Sequence, residues 1–177
     1  TVTTINHKEI NSRTLVLRKA IRKKKRIIFY TDIRSKKVND IKSNKNITIH
    51  VYDGRHKLQI QFYGIALIEN QSSETKLIWK ELNEYSKKNY MSLISPGKKM
   101  IKLNNLEYSN DEEQGYLNFG LISVQVNRIE CLQLLENWQS KSVNQYDILL
   151  NNKISIALKE NNTELLELTI LSLKDKC

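Results

Sequence analysis

Proline and glycine are nearly missing from this chain: Pro96 stands alone, and five glycines serve 177 residues. That scarcity excludes a collagen-like rod and argues against flexible linkers and long disordered tracts. Cysteine is rare too. Cys131 sits in an apolar stretch and Cys177 is the last residue. Neither a disulfide framework nor metal-ligand spacing results, and a reducing cytoplasm is the expected compartment. No apolar run approaches the roughly 20 residues of a membrane-spanning helix, so no transmembrane helix is expected. Glycine-loop nucleotide cradles of the GxGxxG or GxxxxGK[ST] type are absent. His7, His50 and His56 all fall in the first third without a partner at helical spacing, and no serine, histidine and aspartate pattern emerges. An enzyme of this design needs a cofactor for its chemistry. The chain opens on Thr1 with neither an initiator methionine nor a signal-peptide pattern, so a processed or partial start is expected.

What is present is basic charge and strand-forming sequence. Hydrophobic residues make up 40% of the chain, enough for a packed core. Its length suits a single domain, read as a core barrel over 1–135 and a divergent C-terminal meander over 136–177. Lysine and arginine outnumber the acids 29 to 19, for a net charge of +10. Such a surface attracts phosphates and polyanions. Isoleucine, asparagine and lysine are all abundant, however, so much of this charge reads as ordinary lysine-rich surface.

Val2–Ile5, Thr14–Leu17 and Ile27–Thr31 read as short strands from their β-branched and aliphatic content, with Arg22 to Lys25 at the hairpin tip between the last two. Ser35 is a plausible N-cap, Val38 and Ile41 follow at helical spacing, and Asn44 to Asn46 end that helix. Ile47–Tyr52 and Leu58–Ile68 flank an Asp53-Gly54 turn. Gly64 marks a bulge or a close backbone approach. Ser72 or Ser73 starts a second helix with Leu77, Ile78, Leu82 and Tyr85 on its apolar face. Ser95 to Gly97 is a loop, and Asn104–Gln114 is a polar, acidic connection. Leu117–Val126 and Ile129–Leu135 are further strands. Gln145–Leu150, Lys153–Leu158 and Leu165–Leu173 form a terminal meander, the last alternatively a helix. The pattern predicts a mainly β chain, an antiparallel barrel with two helical insertions.

Four stretches carry the chemical signal: RTLVLR from Arg13 to Arg18, FYTDIRSKK from Phe29 to Lys37, QIQFYG from Gln59 to Gly64, and FGLISVQVNRIECLQ from Phe119 to Gln133. Singly, each has an ordinary reading as solvated strand ends and surface lysines. Together, in order and spacing, they resemble the pyridoxamine 5'-phosphate oxidase family of flavoproteins. The resemblance is clear over residues 12–66 and 117–133. It implies an FMN-binding split β-barrel that works as a homodimer with FMN at the interface. FMN phosphate would be held by Arg13, Lys36 and Lys37. The segment Thr14, Leu15, Val16, Leu17 and Arg18 would lie along the flavin, Tyr30 and Thr31 would contact it, and Gln59 would bond its polar edge. Phe119, at the family's Trp position, would approach the partner's flavin. Arg18, Tyr85 and Lys88 are the candidate contacts for a small phosphorylated or amine substrate.

The same resemblance implies an FMN-dependent oxidoreductase with hydride transfer to flavin N5. Three departures bear on it. Arg18 replaces the family's Lys, and Ser35-Lys36-Lys37 replaces Ser-Arg-Lys. The Arg-x-His and further Arg that contact the pyridoxal substrate fall on Trp138, Ser140 and Ser142, which supply no cation. True pyridoxamine phosphate oxidation is therefore disfavoured, and a non-catalytic flavin or ligand carrier is the alternative. A barrel binding single-stranded nucleic acid through Arg18-Lys19, Arg22–Arg26 and Phe29-Tyr30 is the remote one. The hairpin-tip position of the basic run weighs against it. No metal site and no membrane contact are expected.

Overall fold

Every second residue from Leu58 to Ala66 is withdrawn from solvent, the alternation of a strand with one face on a core. A computed structural model describes residues 1–6, 9–98, 107–135 and 138–144. Among them are eight strands: β1 Val2–Ile5, β2 Ile10–Arg13, β3 Leu17–Ile21, β4 Arg26–Asp32, β5 Asn46–Asp53, β6 Leu58–Asn70, β7 Phe119–Leu135 and β8 Trp138–Asn144. They form one sheet in the order β2-β1-β5-β6-β7-β4-β3, with β8 also on β7 and every pair antiparallel. The long β7 pairs β6 along one side. On its other side it pairs β4 from Phe119 to Gln125 and β8 from Ile129 to Leu135.

The chain path dictates how this sheet bends. β2 and β3 stand at opposite ends of the strand order, yet only residues 14–16 join them. Arg13 and Leu17 are four residues apart, a reach of about 14 Å at most. Seven strands laid flat would separate the two edges by roughly 29 Å. The sheet therefore curls until its edges face each other across a seam bridged by three residues: a split barrel.

Inside, Val2, Ile27, Phe29, Ile47, Ile49, Leu58, Ile60, Phe62, Ala66, Ile122, Val124, Val126 and Cys131 form the main core, with Ile41 of helix α1 (Lys36–Ser43) among them. Ser35 precedes α1, as its position predicts, and Val38 and Ile41 are its buried apolar face. Outside, Ile28, Phe119 and Leu121 make a second core against Trp79 of helix α2 (Ser73–Glu81). Helices α3 (Glu84–Lys88) and α4 (Glu112–Asn118) complete this side.

Several expectations shift. The strand expected at Thr14–Leu17 is split: β2 ends at Arg13, β3 starts at Leu17, and Thr14 to Val16 form the seam crossing. The apolar face expected on α2 holds in part: Ile78 and Leu82 pack against the second core, but Leu77 and Tyr85 do not. The helix stops before Leu82, and Asn83 caps α3 by accepting the Ser86 N–H at 2.8 Å. Leu77 and Tyr85 are thereby left 63% and 84% exposed, while Thr75 and Trp79 are buried. Part of the connection expected at Asn104–Gln114 is helical, because Asp111 caps α4 through the Glu113 and Gln114 N–H groups. The two strands expected over 117–135 are one, interrupted by a register shift opposite Gly64. β8 was not foreseen. The meander strands expected from Gln145 onward lie outside the described residues, as does Cys177.

The Gly64 reading is borne out as both a bulge and a close approach. A Cβ there would stand 2.3 Å from the Gln125 carbonyl oxygen, which is backbone of a strand paired on both sides and cannot retreat without breaking the ladder. Gly64→Ala should lower the unfolding free energy by about 3 kcal/mol, measured by chemical denaturation.

Candidate functional site

β4 ends at Asp32, and the chain turns through Ile33 to Ser35 into α1. Ser35 closes this turn: its N–H and its Oγ both donate to the Asp32 carbonyl, at 3.1 and 2.7 Å. The Asp32 carboxylate accepts the Arg34 N–H at 2.8 Å and three contacts from its guanidinium, at 3.0, 3.2 and 2.6 Å. Arg34 in turn donates to the Ser92 carbonyl at 2.9 Å. The start of α1 is therefore held rigidly.

Lys37, in the first turn, folds back and donates to Ser35 Oγ at 3.0 Å. It is half-buried, yet among the described residues no carboxylate lies within salt-bridge distance of it. Burial pulls its pKa below the ordinary lysine range, and the nearby Arg13 charge pulls the same way, against an opposing effect of Asp32. Arg13, at the end of β2, donates to Thr4 Oγ1 at 2.6 Å and to Asp40 Oδ2 at 3.3 Å. Two of the five N–H donors on its fork are thus used inward.

Two cations lie within electrostatic reach of each other near the positive end of a helix, and among the described residues one of them has no carboxylate in contact, only the more distant Asp32. Alone, this arrangement is electrostatically unfavourable; an anion between them relieves it. The donor set fits a phosphate: a planar fork, a compact ammonium, and helix-start N–H groups. Arg13, Lys37 and the start of α1 therefore fit an FMN phosphate.

The other predicted residues separate into groups. Lys36 is 63% exposed and paired with Glu9 at 2.8 Å, and the charges of Asp40 and Arg13 reach it as well. Thr31 is 3% exposed, with its hydroxyl on the Asp32 carbonyl and near Ser35 Oγ, so it shapes the turn. Along the seam, Leu15 and Leu17 pack on the barrel core, while Thr14 and Val16 stay exposed. Arg18 is exposed and lies over the Tyr30 ring, 5.2 Å from its centroid. Tyr30 meets Phe119 edge-on at 5.4 Å, and Phe119 also meets Tyr90 at 5.0 Å and Trp79 at 5.4 Å. Phe119 itself has no exposed surface, so within this chain it backs Tyr30 rather than forming a wall of the site. Burial pushes the Tyr90 hydroxyl up to about 12, even with Arg18 pulling it down. Gln59 is half-buried on the outward face of β6, and its side chain makes no hydrogen bond among the described residues. Tyr85 projects into solvent, and Lys88 lies over the Tyr108 ring at 5.2 Å. The structure thus sets Lys37 and Lys36 within electrostatic reach of Arg13, the latter already paired with Glu9, brings Arg18 to Tyr30, and leaves Tyr85 and Lys88 outside both groups.

With this geometry in place, comparison with known proteins is informative. Residues 1–70 match the family model of the pyridoxamine 5'-phosphate oxidase FMN-binding domain. The chain has the split-barrel fold of the pyridoxamine 5'-phosphate oxidase-like proteins. A pyridoxamine 5'-phosphate oxidase-related, FMN binding protein from Nostoc punctiforme is 19% identical with a TM-score of 0.64, over 81% of this chain and 85% of that one. PhzG from Burkholderia lata, solved with tetrahydrophenazine-1-carboxylic acid, is 15% identical at a TM-score of 0.60, over 81% and 80%. A Clostridium acetobutylicum protein related to general stress protein 26 is 10% identical at 0.53, over 80% and 82%. No curated protein matches the chain. The cofactor of the matched family is FMN. Among the described residues of this split barrel, no helix is long and apolar enough to cross a membrane.

Sequence reading missed Thr4 and Asp40, which hold Arg13, and the cluster of Trp79 and Tyr90 behind Phe119. Thr4 and Asp40 lie 9 and 27 residues from Arg13, and no local pattern links them. Phe119→Ala should cost about 3–5 kcal/mol of stability without any flavin present, read by thermal or chemical unfolding. A negligible loss would place the ring at a surface instead.

Proposed function

We propose that this chain is an FMN-binding flavoprotein oxidoreductase that acts as a homodimer in a reducing cytoplasm. The observation that carries the reading is the pairing of Arg13 with Lys37, whose ammonium is half-buried without a carboxylate. A phosphate monoester there gains charge-assisted hydrogen bonds and removes a like-charge conflict. Lys36 is paired with Glu9 at the surface and would have to exchange that partner to join the cradle.

The exposed Thr14 and Val16 follow Arg13 directly along the seam, and supply backbone and apolar surface for the remainder of the cofactor. Gln59, whose amide has no hydrogen bond among the described residues, is the group that would meet the polar edge of the ring. Bound FMN supplies an acceptor of a hydride or electron pair at N5. The protein's own part is to bind, to orient and to exclude water. The Tyr30, Phe119 and Tyr90 rings form a stiff backing, and Tyr90, raised to about 12, keeps its proton at neutral pH and is not a base. Arg18, over Tyr30, is the candidate contact for an anionic group on a small phosphorylated or amine substrate. Pyridoxamine 5'-phosphate itself is disfavoured, because Trp138, Ser140 and Ser142 supply no cation for it. That loss also motivates the second reading, a flavin carrier without turnover.

The visible spectrum of the desalted protein after FMN addition tests the cofactor reading. An equimolar flavin should be retained, and Arg13→Ala with Lys37→Ala should weaken FMN by on the order of a hundredfold or more. A protein that stays colourless refutes it. The depressed Lys37 pKa adds a pH signature. The ammonium that binds phosphate is lost before ordinary lysines deprotonate, so FMN affinity should fall early on the alkaline side. Lys37→Met should flatten that arm of a fluorescence-quenching titration.

A further inference from the structure

We infer that Asp40 is the positioning residue of the phosphate cradle, setting the Arg13 fork without touching the cofactor. The inference rests on the FMN reading above. Asp40 lies on α1 and is 2% exposed. Its Oδ2 accepts from Thr4 Oγ1 at 2.8 Å and from Arg13 at 3.3 Å, and its Oδ1 accepts from Asn6 Nδ2 at 3.4 Å. Thr4 Oγ1 also accepts from the other arm of Arg13, at 2.6 Å. Arg13, Thr4 and Asp40 therefore close a three-membered ring of hydrogen bonds that joins β2, β1 and α1.

The ring lies where the backbone offers little support. β2 is a four-residue edge strand paired only with β1, and Arg13 is its last residue before the seam. An arginine in such a place, with its side chain 23% exposed, ordinarily samples many rotamers in water. Asp40 removes that freedom, because a buried carboxylate needs its cation and holds it. α1 also carries Lys37, one turn before Asp40. One rigid helix thus bears the ammonium and the carboxylate that fixes the guanidinium, and so sets the spacing of the two cations. A phosphate then meets a prepared site rather than one it must assemble. Asp40 also offsets part of the Arg13 charge, so its net effect on an anion is a contest between geometry and attraction. The inference is that geometry wins.

Comparing FMN with riboflavin, which lacks the phosphate, isolates this role. Affinities are read by flavin fluorescence quenching on the full chain, with folding checked by circular dichroism. Asp40→Asn should cut the preference for FMN over riboflavin about tenfold and leave riboflavin binding itself unchanged. In an Arg13→Ala background the same change should have almost no further effect. Thr4→Val, which removes the bridging hydroxyl and no charge, should lower the preference in the same direction; it supplies the answer if Asp40→Asn does not fold. An unchanged or increased preference overturns the inference and makes Asp40 a competing anion. Equal weakening of both flavins, or full additivity with Arg13→Ala, overturns it in favour of a general structural role. A wild-type protein that does not prefer FMN to riboflavin fails earlier, and then the cofactor reading falls together with this one.

Discussion

Three residues hold this architecture in its closed form. Thr14, Leu15 and Val16 must carry the chain from one edge of the sheet to the other, and so short a tether makes a flat sheet impossible. Curling gives the interior its continuous apolar lining. It also brings the end of β2 to the mouth of the barrel, where α1 packs against β1 and β6. Arg13 stands at that end because the tether starts there. Lys37 stands opposite because α1 begins where β4 runs out. The site is thus a consequence of closure.

Charge distinguishes the site from the rest of the molecule. Arg26 is partly buried as well, but Glu69 and Glu74 neutralise it at 2.6 and 2.9 Å, and it also donates to Ser123. Arg34 is tied to Asp32. Those two cations are structural, joining strands to a helix and a turn. Among the described residues Lys37 touches only a neutral hydroxyl, and it feels a second cation as well as the more distant Asp32. Burying an ammonium in that way carries a free-energy cost in the unliganded chain, and an anion relieves it. The contrast is informative because all three lie on one continuous stretch of chain around β4.

Behind the site, rigidity comes from aromatic packing. Phe119 touches Tyr30, Trp79 and Tyr90, so the outer face of β4 and β7 is clamped to the helices. Edge-on ring contacts add directional preference to the area they bury. Tyr30 is thereby fixed from behind while Arg18 covers its other side. The Cys131 thiol, raised to about 11 by burial, is a small hydrophobe in the barrel rather than a reactive group.

The parts legible in the sequence were those with local physics. Period-two burial marked β5 and β6, Ser35 and Ser72 marked helix starts, and Gly64 marked the bulge, because each depends on neighbours within a few residues. The cations proposed for the phosphate, Arg13, Lys36 and Lys37, came from motifs of recognisable spacing in the sequence. Legibility failed where the deciding partner was distant in the chain. The face of α2 was legible at Ile78 and Leu82 but not at Leu77 and Tyr85, because the helix ends and Asn83 caps a new one before the periodicity could complete. The motif around Thr14 looked like a strand and became a seam, because the pairing of β2 with β1 and β3 with β4 pulls its ends apart. Sequence alone determined which residue types could bind a phosphate. Only tertiary structure decided that Lys36 would be spent on Glu9, that Phe119 would be interior, and that Asp40 and Thr4 would hold Arg13. Those outcomes depend on distances across the closed barrel, and one-dimensional spacing does not encode them.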